Sequence, residues 1–397
     1  MKNLAIIWEN FKVGGVSTHL EVLLNHKRFS KMNIIIYTNE DNKALYILKK
    51  KFKNSNIKFI KFKNLNCIKA NNVIFKIIYH FFLRPFFFLI SIIYFYIIFK
   101  KIQNTVYLAN CGGYGSFRSE MAAILAAYLS GNRSIYLLIH HCFNKPIAWN
   151  ILLQFTNFLI YKCLNNIIFI SKATEKNIKE NVFAFKNTKK NLVIYNGIKT
   201  SKFKNKKILI FNKYNNFIKI GILSRIENVK GHNFLVNTVS EIRRDIRDRI
   251  KFFFIGNGDD KYLFSLKKLI IQKKLEKNFV FTGYLNYDSR QIINNLDLLL
   301  SLNQEFEGFG YSYVEAASLG VPVLVTNVGA AREIFKENLQ ILINHKNVNI
   351  LKLKLIDFVE NKHQYQNKAK KIKMIVNKKF NETIMVNKYI NTLFKKN

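Results

Sequence analysis

The chain has 397 residues, which is too long for one ordinary hydrophobic core and predicts two domains of roughly 200 residues each. Because 49% of the residues are hydrophobic, the composition excludes an intrinsically disordered chain. The formal net charge is +40, from 64 Lys and Arg against 24 Asp and Glu, so the surface should favour anionic partners such as acidic lipid headgroups or nucleic acid. No nucleic-acid-binding motif is recognisable, which favours the lipid.

The first half of the chain alternates short apolar strands with helical patterns. Strands are predicted at 4–8, 34–37, 57–62, 105–109, 134–139 and 166–170, and helices at 17–24, 42–53 and 119–129. This alternation predicts a parallel sheet with helices on both faces. We assign a first domain to residues 1–197.

Three loops at predicted strand ends of this half contain glycine or histidine. Gly14 and Gly15 follow the first strand, and because glycine has no Cβ, a ligand could approach their backbone closely. His140 and His141 follow the fifth strand. Residues 111–118, CGGYGSFR, suit either a loop that receives an acceptor or a structural turn before the next helix.

Residues 86–99, FFFLISIIYFYIIF, carry no charge and lie between Arg84-Pro85 and Lys100-Lys101. A helix of this length would cover only about 21 Å of a roughly 30 Å hydrocarbon core, so we do not expect a transmembrane span. Two alternatives remain open. The segment is either a buried helix of the first domain or an aromatic-rich helix at a lipid interface, with basic residues reaching the headgroups.

The N-terminus and the cysteines indicate the compartment. The first ten residues, MKNLAIIWEN, contain a short strand and lack the longer apolar region of a signal peptide. The four cysteines, Cys67, Cys111, Cys142 and Cys163, form no C-x-x-C pair and show no metal-ligand spacing. We therefore expect a reduced, cytoplasmic protein without a metal site.

The alternation restarts after a lysine-rich interval, which we assign as a linker at 198–217. The predicted strands of the second half are 218–223, 252–255, 279–281, 296–302 and 323–325. A second α/β domain is therefore assigned to residues 218–376. The last stretch of the chain is predicted to be helical and is strongly basic.

Residues 305–335, EFEGFGYSYVEAASLGVPVLVTNVGAAREIF, are the most informative segment. A glycine turn at 308–310 precedes a small-residue helix, and an apolar strand follows. Backbone N–H groups at such a helix start can bind phosphate. Glu307 and Glu315 would repel phosphate, so we expect them to accept hydrogen bonds from hydroxyls. A ligand that carries phosphate next to sugar hydroxyls is a nucleotide sugar, so we expect a ligand of this class.

This segment resembles the donor-binding signature of the retaining glycosyltransferases of family 4, which have the GT-B fold. The shared pattern is a Glu, a Gly-Phe-Gly turn, a second Glu after seven intervening residues, and a small-residue helix leading to Gly-x-Pro-Val. The family usually continues with Gly-Gly-x-x-Glu, whereas residues 329–333 read GAARE, so the second glycine is missing. Residues 221–231, GILSRIENVKG, resemble the family's Gly-Arg-Leu…Lys-Gly segment.

The resemblance implies two Rossmann-like, doubly wound α/β domains that face each other across a cleft, with a C-terminal helix at 377–397 crossing back to the first domain. It implies that Arg225 and Lys230 stabilise the charge of a departing diphosphate in place of a metal. Glu315 would hold the ribose hydroxyls and Glu307 the donor sugar.

Further positions follow from the same resemblance. One of His140 and His141 would face the donor sugar, and a single sequence does not decide which. The other implied donor-binding residues are Gly14, Gly15, Asn196, Gly256, Phe309, Gly310 and Tyr311.

The predicted activity is retaining transfer of a sugar from a nucleotide donor, carrying UDP or GDP, to a surface glycan or lipid-linked acceptor, as in lipopolysaccharide or capsule synthesis. We expect no cofactor besides the donor and a peripheral position at the inner face of the cell membrane. The alternatives are a GT-B epimerase or phosphorylase, or a non-catalytic anion-binding protein.

Overall fold

The computed structural model describes residues 2–53, 55–64, 79–115, 117–143, 150–201, 203 and 208–394. The chain divides into two units, one formed by Met1–Gly197 with Glu382–Asn397 and the other by Ile198–Asn381. Each unit has its own hydrophobic core. Cys67, Ser116 of the loop at 111–118, and part of the predicted linker lie outside the described residues.

The first unit contains a seven-stranded parallel sheet with the order β3-β2-β1-β4-β5-β6-β7. Its strands are β1 (Asn3–Trp8), β2 (Asn33–Asn39), β3 (Ile57–Phe62), β4 (Thr105–Cys111), β5 (Ile135–Ile139), β6 (Asn166–Phe169) and β7 (Asn191–Val193). Among the described residues up to 181, its helices are α1 (Gly15–Leu24), α2 (Leu45–Lys51), α3 (Arg84–Phe99), α4 (Ser119–Leu129), α5 (Asn150–Cys163) and α6 (Lys172–Asn181). The central strands are continuous apolar runs because a parallel sheet is covered on both faces.

The second unit contains a six-stranded parallel sheet with the order β10-β9-β8-β11-β12-β13. Its strands are β8 (Ile218–Leu223), β9 (Ile250–Ile255), β10 (Phe279–Gly283), β11 (Leu298–Ser301), β12 (Val323–Thr326) and β13 (Leu342–Ile343). Its helices are α7 (Leu209–Asn212), α8 (His232–Ser240), α9 (Arg244–Arg247), α10 (Asp260–Gln272), α11 (Ser289–Ile293), α12 (Tyr311–Leu319), α13 (Ala331–Ile334), α14 (Val348–Glu360) and α15 (Lys362–Lys379). The last helix, α16 (Glu382–Phe394), belongs to the first unit.

The two sheets confirm the prediction of two Rossmann-like, doubly wound α/β domains. The strand order reverses between β1 and β4 in the first sheet and between β8 and β11 in the second. Open parallel sheets bind ligands at the carboxyl ends of the strands beside such a reversal. These two places are therefore where functional side chains are expected.

Helix α3 contains the apolar residues 86–99. One side of the helix is buried in the first unit's core through Phe88, Phe95 and Phe99, which confirms the buried alternative for that side. The other side is exposed. Within the described part of the chain, no helix has the length and hydropathy needed to cross a membrane.

Candidate active site

Lys230 and Glu307 meet in the second unit where the strand order reverses. The Lys230 Nζ donates a hydrogen bond to Glu307 Oε2 over 2.9 Å, and Asn303 Nδ2 donates to the same oxygen over 2.7 Å. The Lys230 and Glu307 side chains are only 21% and 20% exposed. Lys230, predicted to bind the diphosphate, and Glu307, predicted to bind the sugar, are therefore in contact.

Lys230 is positioned by the glycine that follows it. Gly231 has a φ of +78°, and a Cβ at that position would lie 2.0 Å from the Leu302 carbonyl oxygen. The backbone N–H of Gln304 also donates to the Val229 carbonyl oxygen over 2.8 Å. The turn that carries Lys230 is thus held directly against the chain that leaves β11.

Glu307 is positioned by a second close backbone approach. Gly329 has a φ of +56°, and a Cβ there would lie 1.9 Å from the Glu307 carbonyl oxygen. The N–H of Ala330 donates to that oxygen over 2.9 Å. Because Ala330 has an ordinary φ of −78°, its side chain is tolerated, which explains why the second glycine of the family pattern is dispensable here.

Helix α12 begins beside this pair. Gly310 precedes it with a φ of +81°, and a Cβ there would lie 1.9 Å from the Tyr313 ring. The first N–H groups of a helix have no partner within it and carry a partial positive charge. Ser312 of this first turn lines a small cavity with Lys230, Glu307, Asn303 and the ends of β8 and β11. Lys230 and the start of α12 can therefore bind an anionic part of a ligand, and Glu307 beside them can accept hydrogen bonds from the hydroxyls of the same ligand.

Arg225 and Gly256 lie on loops at the same edge of the sheet. The Arg225 side chain is 40% exposed and forms an ion pair with Glu227, a different carboxylate from the one that binds Lys230. Gly256 has a φ of +142°, and a Cβ there would lie 2.1 Å from the Ser224 carbonyl oxygen. Gly256 therefore allows β9 to approach the loop that carries Arg225.

The aromatic residues of the turn differ in accessibility. Phe309 is 1% exposed, and its ring packs against Tyr311 and Phe380 with centroids 5.4 and 5.8 Å away. Its side chain belongs to the interior of the second unit, which leaves only its backbone for a ligand. Tyr311 is partly exposed at the first position of α12.

Glu315 is buried in α12 and does not line the cavity that holds Glu307. Burial raises the pKa of Glu315 to about 7, an effect that a hydrogen bond from the Ser289 side chain opposes. A ligand hydroxyl that donates to this carboxyl group favours its ionised form. Binding of such a hydroxyl should therefore release a proton and weaken as the pH falls below about 7.

In the first unit, His140 lies at the carboxyl end of β5. Its Nε2 is 2.8 Å from Asn110 Oδ1, which can only accept, so Nε2 carries the proton and Nδ1 is the acceptor. Burial lowers the pKa of His140 well below its ordinary value, and the nearby His19 and His141 add to this. His141 is exposed, with its Nδ1 3.1 Å from the Cys142 Sγ.

His19 of α1 completes this buried cluster, and the sequence analysis missed it. Its ring centroid is 4.7 Å from that of His140, and its Nδ1 lies 2.8 Å from Asn196 Oδ1. Burial lowers the pKa of His19 to about 4. Asn196 thus orients His19, and Asn110, also missed, orients His140. Two sequence features could have identified them: Asn110 is a polar residue at the end of a strand, and His19 follows a glycine turn.

Gly14 and Gly15 lead into α1. The φ of Gly14 is 171°, an extended conformation that any residue adopts, and a Cβ there would meet no atom within 4 Å. The Ser17 hydroxyl donates to the Gly14 carbonyl oxygen over 2.7 Å. The space beside Gly14 is therefore open, and the fold of the first unit does not itself demand a glycine there.

Arg118 follows the loop at 111–118 and has a structural role. Its guanidinium donates two hydrogen bonds of 3.1 Å to the Glu120 carboxylate and one of 3.0 Å to the Glu9 carbonyl oxygen. The Glu9 carboxylate accepts from the Ser119 N–H over 2.9 Å and lies 3.6 Å from Arg118. Arg118 thus forms an ion triad with the buried carboxylates of Glu9 and Glu120, so the structural alternative describes this end of the loop.

Comparison with known proteins places this geometry in a class. Two Rossmann-like sheets in this order define the GT-B fold, and the structure of Anabaena Alr3699/HepE in complex with UDP and glucose matches with a TM-score of 0.75. The match covers 99% of both chains at 17% identity, so it concerns the fold. Residues 201–374 match the family model of glycosyl transferases group 1.

Two curated relatives match part of the chain. The uncharacterized glycosyltransferase MJ1069 of Methanocaldococcus jannaschii is 25% identical over 237 residues, which are 58% of each chain. The O-antigen biosynthesis glycosyltransferase WclY of Escherichia coli is 25% identical over 182 residues, 45% of this chain and 48% of WclY. The chain therefore spans about half the length of the curated relatives it matches.

Proposed function

We propose that the protein is a retaining glycosyltransferase that moves a sugar from a nucleotide-sugar donor to a glycan or lipid-linked acceptor. The observation that carries this proposal is the contact between Lys230 and Glu307 beside the start of α12. The match of residues 201–374 to glycosyl transferases group 1 and the likeness to a fold that binds UDP and glucose in HepE support it.

In the proposed reaction, Lys230 and the N-terminus of α12 bind the donor diphosphate. The bond between the anomeric carbon and the phosphate oxygen breaks while the acceptor oxygen bonds to that carbon, and the acceptor proton passes to the departing phosphate oxygen. Negative charge grows on the diphosphate during this step, so fixed positive groups stabilise the transition state more than the ground state. Arg225 has the exposure to join them, and we propose that no metal is needed.

Glu307 and Glu315 would bind the hydroxyls of the donor. Lys230 and Asn303 both bind one carboxylate oxygen of Glu307 and so fix the orientation of the carboxylate, which would accept a hydrogen bond from a hydroxyl of the sugar. Glu315, with a pKa of about 7, would accept from the ribose hydroxyls. The roles of Gly14, Gly15, Asn196, His140 and His141 toward the donor stay predictions.

The proposed donor carries UDP or GDP, and the proposed acceptor is a surface glycan or its lipid-linked precursor. WclY is named for O-antigen biosynthesis, which supports an acceptor of this class. A GT-B epimerase or phosphorylase and a non-catalytic anion-binding protein are the rival functions.

A nucleotide panel followed by product analysis tests the proposal. One nucleoside diphosphate among UDP, GDP and ADP should stabilise the protein by roughly 2.7 kcal/mol at 100 times its Kd, and inorganic pyrophosphate should stabilise it less. Equal stabilisation by all four anions would indicate a bulk-charge binder. With a labelled donor, an epimerase leaves the label on the nucleotide and a phosphorylase forms a sugar phosphate, whereas a retaining transferase yields a glycoside of unchanged anomeric configuration.

A matched pair of variants tests whether the close approach of Gly329 positions Glu307. Gly329→Ala should lower sugar transfer by about tenfold or more, because its Cβ would displace the Glu307 backbone and strain a positive φ. Ala330→Gly restores the usual family pattern and should keep full activity. Steady-state kinetics of both variants check this, and equal activity would show that the turn does not position Glu307.

A further inference from the structure

The exposed side of α3 is apolar along its whole length. Phe86, Leu89, Ile93 and Ile97 are 57%, 58%, 59% and 55% exposed, and Phe82, just before the helix, is 73% exposed. Their spacing of three or four residues places them in one line, which we call the outer stripe. A helix that is apolar on both its buried and its exposed side indicates a second binding surface.

Helix α5 extends this surface. The crossovers β3–α3–β4, β4–α4–β5 and β5–α5–β6 all run in one direction along the sheet, so right-handed connections place the three helices on one face of it. Helix α4 packs against both α3 and α5. Phe155, Phe158 and Leu159 of α5 are 58%, 47% and 38% exposed. The exposed sides of these helices form what we call the apolar face.

The exposed charges on α3, α4 and α5 and at their ends are of one sign. Lys100, Arg133 and Lys162 lie 5.9, 4.2 and 5.2 Å from the centroids of aromatic rings on α3, α4 and α5. Between residues 42 and 174 the sequence contains a single acidic residue, Glu120, and its side chain is buried in the ion triad. The described parts of α3, α4 and α5 therefore combine exposed apolar side chains and cations without an exposed carboxylate, and the two glutamates of the next helix, α6, are each within 4 Å of a lysine.

We propose that the apolar face docks on an anionic lipid surface, with the outer stripe entering the boundary between headgroups and acyl chains. Burial of aromatic and aliphatic side chains at this depth lowers the free energy of the bound state, and neighbouring Lys and Arg side chains attract anionic headgroups. A second copy of the chain is a poorer occupant, because a two-fold contact through this face would bring cations against cations. The proposal is independent of sugar transfer, since it requires only binding.

Vesicle flotation with a matched pair of double variants tests the proposal. Phe86→Ser/Ile93→Ser removes two outer-stripe side chains, and Phe264→Ser/Ile271→Ser removes the same residue types at the same spacing from α10 in the second unit. Phe264 and Ile271 are 72% and 59% exposed, so neither pair is needed for the core. The probe is vesicles of phosphatidylcholine with about 30% phosphatidylglycerol, at about 0.1 M salt.

The wild-type protein and the α10 variant should float with these vesicles and stay unbound with pure phosphatidylcholine. The outer-stripe variant should lose about tenfold or more in vesicle partitioning. Flotation of that variant at the wild-type level, or failure of the wild type to float, would overturn the proposal. So would a wild-type dimer that the outer-stripe variant converts to monomer without any vesicle binding, because the face would then be a contact between copies.

Discussion

Replacement of Lys230 by methionine is expected to lower kcat for sugar transfer by about a hundredfold or more, the cost of removing one preorganised group that stabilises transition-state charge. The Lys230 Nζ is the cation that contacts Glu307 in the cavity beside α12. Methionine keeps an unbranched, apolar side chain that is one heavy atom shorter, and it removes the charge. Glu307 keeps its hydrogen bond from Asn303, so the local structure should persist.

A second lysine of the same unit provides the control. Lys352 forms an ion pair of 3.1 Å with Glu241 and is 26% exposed, close to the 21% of Lys230. Lys352→Met removes the same side-chain charge from an ion pair that does not line the cavity and should leave kcat unchanged. Transfer assays and thermal unfolding of both variants separate loss of chemistry from loss of fold. Wild-type turnover by Lys230→Met would remove the proposed role of this residue.

Arg118→Met is expected to destabilise the first unit by about 3–5 kcal/mol at pH 8, because it leaves Glu9 and Glu120 buried without their counter-ion. Burial raises the pKa of Glu120 from 4.5 to about 7, against the opposing effect of Arg118. The folded state therefore binds more protons than the unfolded state between these values. The free energy of unfolding therefore falls as the pH rises through this interval and Glu120 ionises. This decrease should be larger in the variant that lacks Arg118.

The pH dependence distinguishes this explanation from a simple packing defect. The destabilisation should shrink from pH 8 toward pH 5, and Arg118→Met/Glu120→Gln should recover much of the lost stability at pH 8. Arg133→Met, an exposed arginine of the same unit, should have little effect. Urea unfolding followed by tryptophan fluorescence reports this unit, because Trp8 lies buried in β1 and the second tryptophan of the sequence, at 149, also falls within residues 1–197. A loss that does not vary with pH would argue against a charge effect.

The periodicity of the sequence was sufficient for most of the fold. Eleven strands were predicted close to their positions because each is a local apolar run bounded by polar or glycine residues. Among the described residues, the strands that were missed are β7 and β13, which have three and two residues, too few to show a pattern. The C-terminal helix was predicted from 377, whereas α16 begins at Glu382 after the separate helix α15.

Site residues could be predicted where they belong to a sequence motif with a fixed spacing. Glu307 and Lys230 were both identified, although 77 residues separate them. The bond from Asn303 and the backbone approach of Gly329 were not, because neither contact leaves a periodic signal in the sequence. The burial of the Phe309 ring against Phe380 was also not predictable, and donor binding through the Phe309 backbone stays a prediction.

The sequence by itself determined the two parallel sheets, their glycine turns and the residue types near the second sheet's reversal, since these depend on local pattern and short-range spacing. Only the tertiary structure decided which charges are buried together and which side of an apolar helix meets solvent. Arg118 lies 109 residues from the Glu9 carbonyl oxygen that it contacts, and α3 is apolar on both sides. Burial depends on what packs against a side chain, and packing joins parts of the chain that local sequence does not relate.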